Sequence, residues 1–362
     1  MQADPQNPSN TTPLTILLGS VIGILILIVA FIQEFHFFNE PERWSDVIPQ
    51  LSTQYERWLH GENPYAPVQI EGMYHTPFPV YLPLHWLPIG IARWLHTDIR
   101  VFGIISLGVA IWVGALAIMK KNKTSFPLMI SLVLPVLFLA PFFLSRELIY
   151  VFETPVAIYY LVAAIALALD ALPLMALGLI GALLSRYTIV FWLPLLAVIM
   201  WQVKTPKQWW LFWFFISIGI CGFYVFPFLM TNPDSLIEGL KYHSATTVVG
   251  WENNSDTVTS GFYFAPHLRA ILPGTMDHKI LLSRLIQMLL MVASVIGGIV
   301  FFRKKNLQPF WQQYSLWMMY LILLLFYIIG PNNFRYYLLS FYMVEYVMVS
   351  LAWINMERHR NQ

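Results

Sequence analysis

Charged side chains are scarce in this chain: only 11% of its 362 residues are Asp, Glu, Lys or Arg, whereas 58% are apolar or aromatic. A soluble domain carries about a quarter charged residues, so a compact soluble protein and a disordered chain are both excluded. The single cysteine, Cys221, excludes an intrachain disulfide and a thiolate metal cluster. The net charge of +2 gives no reason to expect a nucleic-acid partner. With a mean hydropathy of +0.62, residues 1–362 are predicted to form one membrane-embedded domain.

Sequence motifs for phosphate and metal binding are also missing. The chain contains no G-x-G-x-x-G, no G-x-x-x-x-G-K-[ST] and no H-E-x-x-H. It has no internal repeat and no low-complexity tract. A nucleotide-dependent enzyme, a zinc protease and a repeat protein are therefore not expected.

Uncharged apolar runs predict an all-α bundle of membrane-spanning helices, since each run is near the ~20 residues that a bilayer requires. The first run, Asn10–Gln33, lacks a basic start and a cleavage site, so it is interpreted as an uncleaved helix. The long Leu172–Trp201 run carries Arg186 at its centre, which predicts two short helices that meet at this arginine. The other predicted spans are Ile99–Met119, Phe126–Leu144, Leu148–Leu169, Trp209–Met230, Ile280–Phe302, Phe310–Ile329 and Tyr336–Trp353.

The distribution of basic residues predicts the topology. Short clusters occur at Lys120, Lys121 and Lys123; Lys204 and Lys207; Arg303, Lys304 and Lys305; Arg358 and Arg360. All four fall on one side if Leu172–Trp201 is a hairpin and the proline-rich Phe78–Leu95 does not span. This gives about ten helices with both termini in the cytoplasm and long outer loops at 39–98 and 231–278. If Phe78–Leu95 does span, everything after it inverts.

The first outer loop is predicted to carry amphipathic surface helices. Apolar residues recur at helical spacing over Val47–Leu59, and Gly61 is a plausible stop for this helix. Pro77–Leu95 is predicted to form a second surface helix.

An ordered set of motifs in this loop resembles the GT-C glycosyltransferases. Asp46 follows the first helix, then come the amphipathic helix, the G-x-N-P-Y of Gly61–Tyr65, and the Y-x-x-P of Tyr74–Pro77. The loop is most similar to glycosyltransferase family 87 and its mannosyltransferase-like bacterial relatives. A hairpin with a basic outer turn and the aromatic-basic Asn332–Tyr337 segment are also similar to that superfamily.

This resemblance implies a GT-C-like fold and an integral membrane enzyme with no nucleic-acid partner. The enzyme would transfer a sugar from a polyprenyl-phosphate donor to a glycan or lipid acceptor outside the cytoplasm, with inversion. Asp46 occupies the position of the catalytic aspartate, where it would act as general base. Because Asp46 also precedes a helix, residue type alone favours an N-cap, and it is the loop pattern that favours the catalytic role. Several GT-C families carry a D-x-D pair, whereas Asp46 stands alone, so no metal ligand is assigned and a divalent metal is left open as cofactor.

Three arginines at predicted outer helix ends are the candidates for the donor phosphate, because a guanidinium matches phosphate oxygens. They are Arg186, Arg335 and Arg146. The alternative is that each arginine anchors its helix at the lipid headgroups.

Six further residues are candidates for binding donor or acceptor: Tyr65, Tyr74, His75, Glu153, Lys241 and His243. The aromatic residues are alternatively explained as an interfacial belt. Glu153 lies inside a predicted helix, where a carboxyl is either functional or a hydrogen-bonded structural group.

Two other functions stay open at this stage. One is a transporter or flippase of a lipid-linked sugar, and the other is an O-antigen polymerase or ligase, which would depend on arginine and histidine of the second outer loop. The expected location is the bacterial inner membrane, with the active site on its outer face.

Overall fold

The computed structural model describes residues 45–70, 76–122, 139, 151–253, 264–332 and 334–360. These residues form helices and their connections, with no strand among them, so the all-α prediction is confirmed for this part. The predicted first helix, Asn10–Gln33, and the Phe126–Leu144 span lie outside the described residues.

The helices are numbered here in chain order. They are α1 Val47–Leu59, α2 Pro83–Trp86, α3 Ile89–Trp94, α4 Ile99–Asn122, α5 Thr154–Leu169, α6 Leu172–Leu183, α7 Leu193–Val203, α8 Pro206–Ile220, α9 Pro233–Glu252, α10 Ala265–Ile271, α11 Met276–Lys304, α12 Trp311–Ile329 and α13 Leu338–Arg360. The π-helix Cys221–Leu229 continues α8, and 3-10 turns cover Tyr187–Phe191, Gln308–Phe310 and Arg335–Tyr337.

Among the described residues, five helical segments are long and apolar enough to cross a bilayer. They are Ile99–Ile118, Pro206–Leu229, Met276–Lys304, Gln308–Ile329 and Arg335–Met356. Three apolar helices, α5, α6 and α7, are shorter. α5 lies at the centre, where it packs against α4, α6 and α13. Gly178 of α6 permits this approach, because a Cβ there would lie 2.6 Å from the backbone nitrogen of Ala163.

The Leu172–Trp201 segment is broken as predicted. α6 ends at Leu183, Arg186 has extended backbone angles, and α7 starts at Leu193. Lys204 Nζ lies 2.6 Å from a carboxylate oxygen of Asp170, so the two ends of the segment meet. The segment is therefore a hairpin with Arg186 at its tip.

The amphipathic helix predicted over Val47–Leu59 is confirmed as α1. Val47, Ile48 and Leu51 are buried, whereas Trp58 is exposed near the other end of the helix. Gly61 follows this helix with φ +72°, a left-handed conformation that glycine adopts at little cost.

The prediction of a single second surface helix over Pro77–Leu95 is wrong in its extent. Pro77–Leu95 contains two short helices, α2 and α3, which are separated at Leu87 and Pro88. Proline cannot donate the backbone hydrogen bond that a continuous helix needs, so the chain turns there. Trp86 is fully buried, whereas Trp94 at the end of α3 is 78% exposed.

One end of the bundle joins segments that are distant in sequence. The amide of Leu84 donates to the carbonyl of Leu184 at 2.9 Å, and the indole of Trp251 donates to the carbonyl of Pro331 at 2.8 Å. At the opposite end, Lys204 lies over the Trp311 ring, 4.8 Å from its centroid. The hairpin tip, α2 and the ends of α9 and α12 therefore meet at one end.

Candidate functional site

A cavity of about 530 Å³ opens at this joined end, between the start of α1, the segment before α2, one face of α9 and the segment that leads into α13. Its volume is in the range of small-molecule sites. Its lining residues are Ser45, Asp46, Val47, Gln50, Pro77, Phe78, Tyr81, Val151, Tyr242, His243, Thr246, Val249, Gly250, Asn253, Asn332, Phe334, Tyr336 and Tyr337.

Asp46 lies at the N-cap position of α1 without capping the helix through its side chain. Its carboxylate accepts no backbone hydrogen bond of the first turn, and Ser45 Oγ accepts from the amide of Val47 at 3.2 Å instead. Asp46 Oδ2 accepts from Gln50 Nε2 at 2.7 Å, and Oδ1 has no hydrogen bond from the part of the chain that the structure describes. One carboxylate oxygen at the cavity wall therefore has no hydrogen-bond donor among the described residues.

His243 lines the same cavity on α9. Desolvation by the cavity walls lowers its pKa, the negative charge of Asp46 opposes this shift, and the positive charges of Arg186 and Arg284 add to it. Among the described lining residues, His243 is the one that can carry a positive charge. The cavity thus pairs one carboxylate with one titratable imidazole.

Two tyrosines add neutral hydroxyl groups beside Asp46. Burial, followed by the charge of Asp46, raises the pKa values of Tyr81 and Tyr242, so both hydroxyls stay protonated at neutral pH. The Tyr242 ring contacts Phe78, with centroids 5.6 Å apart. This contact joins α9 to the segment before α2 across the cavity.

A buried ionic cluster lies behind the cavity. The guanidinium of Arg186 donates from Nε to Glu153 Oε2 at 3.0 Å and from Nη2 to Oε1. The Tyr337 ring covers it, with its centroid 3.9 Å from the guanidinium carbon. His85 Nε2 donates to the carbonyl of Phe152 at 2.8 Å and lies 3.4 Å from Glu153 Oε1. The Arg186–Glu153 pair joins the hairpin tip to α5.

Acid is expected to destabilise the protein through His85. Burial lowers the pKa of His85 to about 4, and its Nδ1 is buried without a partner among the described residues, so the folded state holds it neutral. The unfolded chain binds the proton near pH 6.5, so the stabilisation is complete above this pH and is lost as pH falls towards 4. The free energy of unfolding should fall by about 1.4 kcal/mol per pH unit in that window.

Thermal unfolding between pH 7.5 and 4, followed by tryptophan fluorescence, measures this dependence. We expect His85→Gln to flatten the profile and His267→Gln, which removes an exposed histidine, to leave it unchanged. If stability against unfolding changes with pH equally steeply in the wild type and in His85→Gln, the acid sensitivity belongs to other groups.

Some of the other predicted site residues are described by the structure but do not line the cavity. The rest lie outside the described residues. Tyr65 is buried and packs edge-on against Phe228, with centroids 5.8 Å apart. Lys241 and Arg335 are exposed and absent from the lining. Three predicted residues lie outside the described part: Tyr74, His75 and Arg146.

Of the lining residues, sequence reasoning assigned only Asp46 and His243 to the site, and those it missed include Gln50, Tyr81, Tyr242 and Asn332. Gln50 lies one helical turn after Asp46, and this spacing could have indicated their contact. Tyr242 is adjacent to the predicted His243. The position of Tyr81 depends on tertiary packing, and no local pattern indicates it.

No group of three His, Cys, Asp or Glu side chains that could hold a metal occurs among the described residues. Comparisons with protein-family models, curated proteins and solved structures find no match to this chain.

Proposed function

We propose that the chain is an integral membrane glycosyltransferase that uses a polyprenyl-phosphate sugar and acts on a glycan or lipid acceptor. The observation that carries the proposal is the Asp46 carboxylate, which makes no capping hydrogen bond and faces a cavity shared with His243. The resemblance of the first outer loop to GT-C enzymes supplies the donor class. No metal is part of this proposal.

The reaction needs a base for the acceptor hydroxyl. Asp46 takes its proton while the acceptor oxygen forms a bond to the anomeric carbon and the bond from that carbon to the phosphate oxygen breaks. The bonding electrons leave with polyprenyl phosphate, and the configuration inverts. Gln50 holds one carboxylate oxygen at 2.7 Å, which leaves the other directed to the acceptor.

The leaving phosphate needs a hydrogen-bond donor. His243 is the better candidate because it lines the cavity, whereas Arg186 is paired with Glu153 behind Tyr337. Contact of the phosphate with Arg186, or with Arg335 or Arg146, stays a prediction of the sequence analysis.

The proposed topology has ten spans, both termini in the cytoplasm of a bacterial cell and the cavity at the outer face of the inner membrane. Lys204 lies at the end of the bundle opposite the cavity, and the basic Arg303–Lys305 cluster ends α11. Basic residues favour the cytoplasmic side, so their separation from the cavity supports this orientation.

A donor panel tests the proposal. The purified protein would first be analysed by mass spectrometry for bound polyprenyl lipids. It would then be incubated with polyprenyl-phosphate sugars and oligosaccharide or glycolipid acceptors, and free polyprenyl phosphate measured. Release that requires acceptor supports a transferase. Binding of the lipid without release from any donor would favour the transporter.

A further inference from the structure

The cavity extends along α9. Its lining residues on this helix are Tyr242, His243, Thr246, Val249 and Gly250, which share one face, and Asn253 at the C-cap continues the row. At 1.5 Å per residue, the distance from Tyr242 to Asn253 is roughly 16 Å along the helix axis. Asp46 affects the pKa values of both Tyr242 and His243, so the reacting end lies at the start of this face. The remaining face extends beyond the length of one sugar ring.

The far part of the cavity is polar without charge. Thr246, Asn253 and Asn332 contribute hydroxyl and amide groups, and no described lining residue from Thr246 to Asn253 on α9 is ionisable. Phe334 and Tyr336, whose rings stack with centroids 5.2 Å apart, line the cavity nearer Asp46, where they pack in one cluster with Val47 and Ile48. Neutral hydrogen-bonding groups match the hydroxyls of a pyranose, and offer no cation to a phosphate.

Asn332 is oriented by a short chain of hydrogen bonds. Thr247 Oγ1 donates its one proton to the carbonyl of His243 at 2.8 Å, so it must accept from Asn332 Nδ2, which lies 2.9 Å away. Asn332 Oδ1 is therefore the free atom, and it is buried without a partner among the described residues. An unpaired buried acceptor is costly, and this one belongs to a residue that lines the cavity.

We infer that the far part of the cavity is a subsite for a second sugar ring, so the acceptor is a neutral oligosaccharide of at least two pyranoses. This inference rests on the proposed function. The ring to be glycosylated lies between Asp46 and the Tyr242–Phe78 contact. The next ring lies along α9, where one of its hydroxyls donates to Asn332 Oδ1.

Binding of free saccharides tests the subsite without donor turnover. Methyl mannosides and methyl glucosides of one, two and three rings would be titrated by calorimetry against the protein in nanodiscs free of maltoside detergent. We expect the disaccharides to bind at least roughly tenfold more tightly than the monosaccharides, as one further hydrogen-bonded ring would give. Equal affinities, or no saccharide binding, would overturn the inference.

Variants assign the effect to Asn332. Asn332→Leu removes the acceptor oxygen and should weaken disaccharide binding roughly fivefold while leaving monosaccharide binding unchanged. Asn332→Asp retains an acceptor oxygen and should keep the preference for two rings. Glu238→Gln changes an exposed residue of α9 outside the lining and serves as the matched control. A disaccharide affinity unchanged by Asn332→Leu would remove Asn332 from the subsite and contradict the inference.

The two proposals fail separately. Tighter binding of two-ring saccharides without any release of polyprenyl phosphate would contradict the proposed glycosyltransferase and still support the saccharide subsite. Release that is equally fast with one-ring and two-ring acceptors would support the transferase and defeat the subsite.

Discussion

Replacing Asp46 by asparagine is expected to lower acceptor-dependent release of polyprenyl phosphate by roughly 10²- to 10⁴-fold, the usual contribution of a general base. Asparagine has the same shape, and its carbonyl oxygen still accepts from Gln50. It cannot take a proton from the acceptor hydroxyl. Since the carboxylate makes no capping hydrogen bond, the change should have little effect on the stability of α1.

Asp234→Asn is the matched control, because it makes the same chemical change at an exposed residue of α9 outside the cavity lining. Release would be followed by mass spectrometry of the lipid product, and unfolding by tryptophan fluorescence. A silent Asp46→Asn variant would contradict the role of this residue. Activity that instead depended on His243 alone would favour the alternative function of a polymerase or ligase.

The local part of this site could be predicted from the sequence. Apolar spacing over Val47–Leu59 placed Asp46 at the start of an amphipathic helix, and Gly61 marked its end. An arginine in the middle of Leu172–Trp201 predicted the break because a charge is costly inside a membrane. Each of these features depends on residues that are close in the chain.

The cavity depends on contacts over long sequence distances. Tyr242 meets Phe78, and Asn332 meets Thr247, although 164 and 85 positions separate them. Neither contact has a periodicity or a spacing that indicates it. The two short helices α2 and α3 were missed for another reason, since the apolar composition of Pro77–Leu95 outweighed the effect of Pro88 within it.

The role of Arg186 shows the same limit. Its position at a hairpin tip was predictable, and phosphate was the natural partner for a guanidinium there. Its observed partner, Glu153, precedes it by 33 positions. The sequence indicated that Arg186 and Glu153 are each unusual as charged residues in apolar runs. It did not indicate that the two side chains pair with each other.

Replacing only one residue of the buried Glu153–Arg186 pair is expected to destabilise the protein by about 3–5 kcal/mol. The side chains of Glu153 and Arg186 are 2% and 13% exposed, so Glu153→Gln leaves a guanidinium with little water and no counter-charge. Replacing both, in Glu153→Leu with Arg186→Met, removes both desolvated charges and should restore most of the stability. Unfolding of the purified variants, followed by tryptophan fluorescence, measures the difference.

Asp170→Asn provides the matched control at the base of the same hairpin. Asp170 pairs with Lys204, whose side chain is 10% exposed, but Asp170 itself is 38% exposed and Lys204 also lies over the Trp311 ring. Since asparagine tolerates the left-handed backbone at this position, the loss should be smaller than that of Glu153→Gln. Activity of the double variant then separates two roles of Arg186. Release within roughly tenfold of the wild type would assign Arg186 to joining the hairpin to α5. A stable double variant that no longer releases polyprenyl phosphate would show that the guanidinium reaches the donor, and that Tyr337 must move away from it during the reaction.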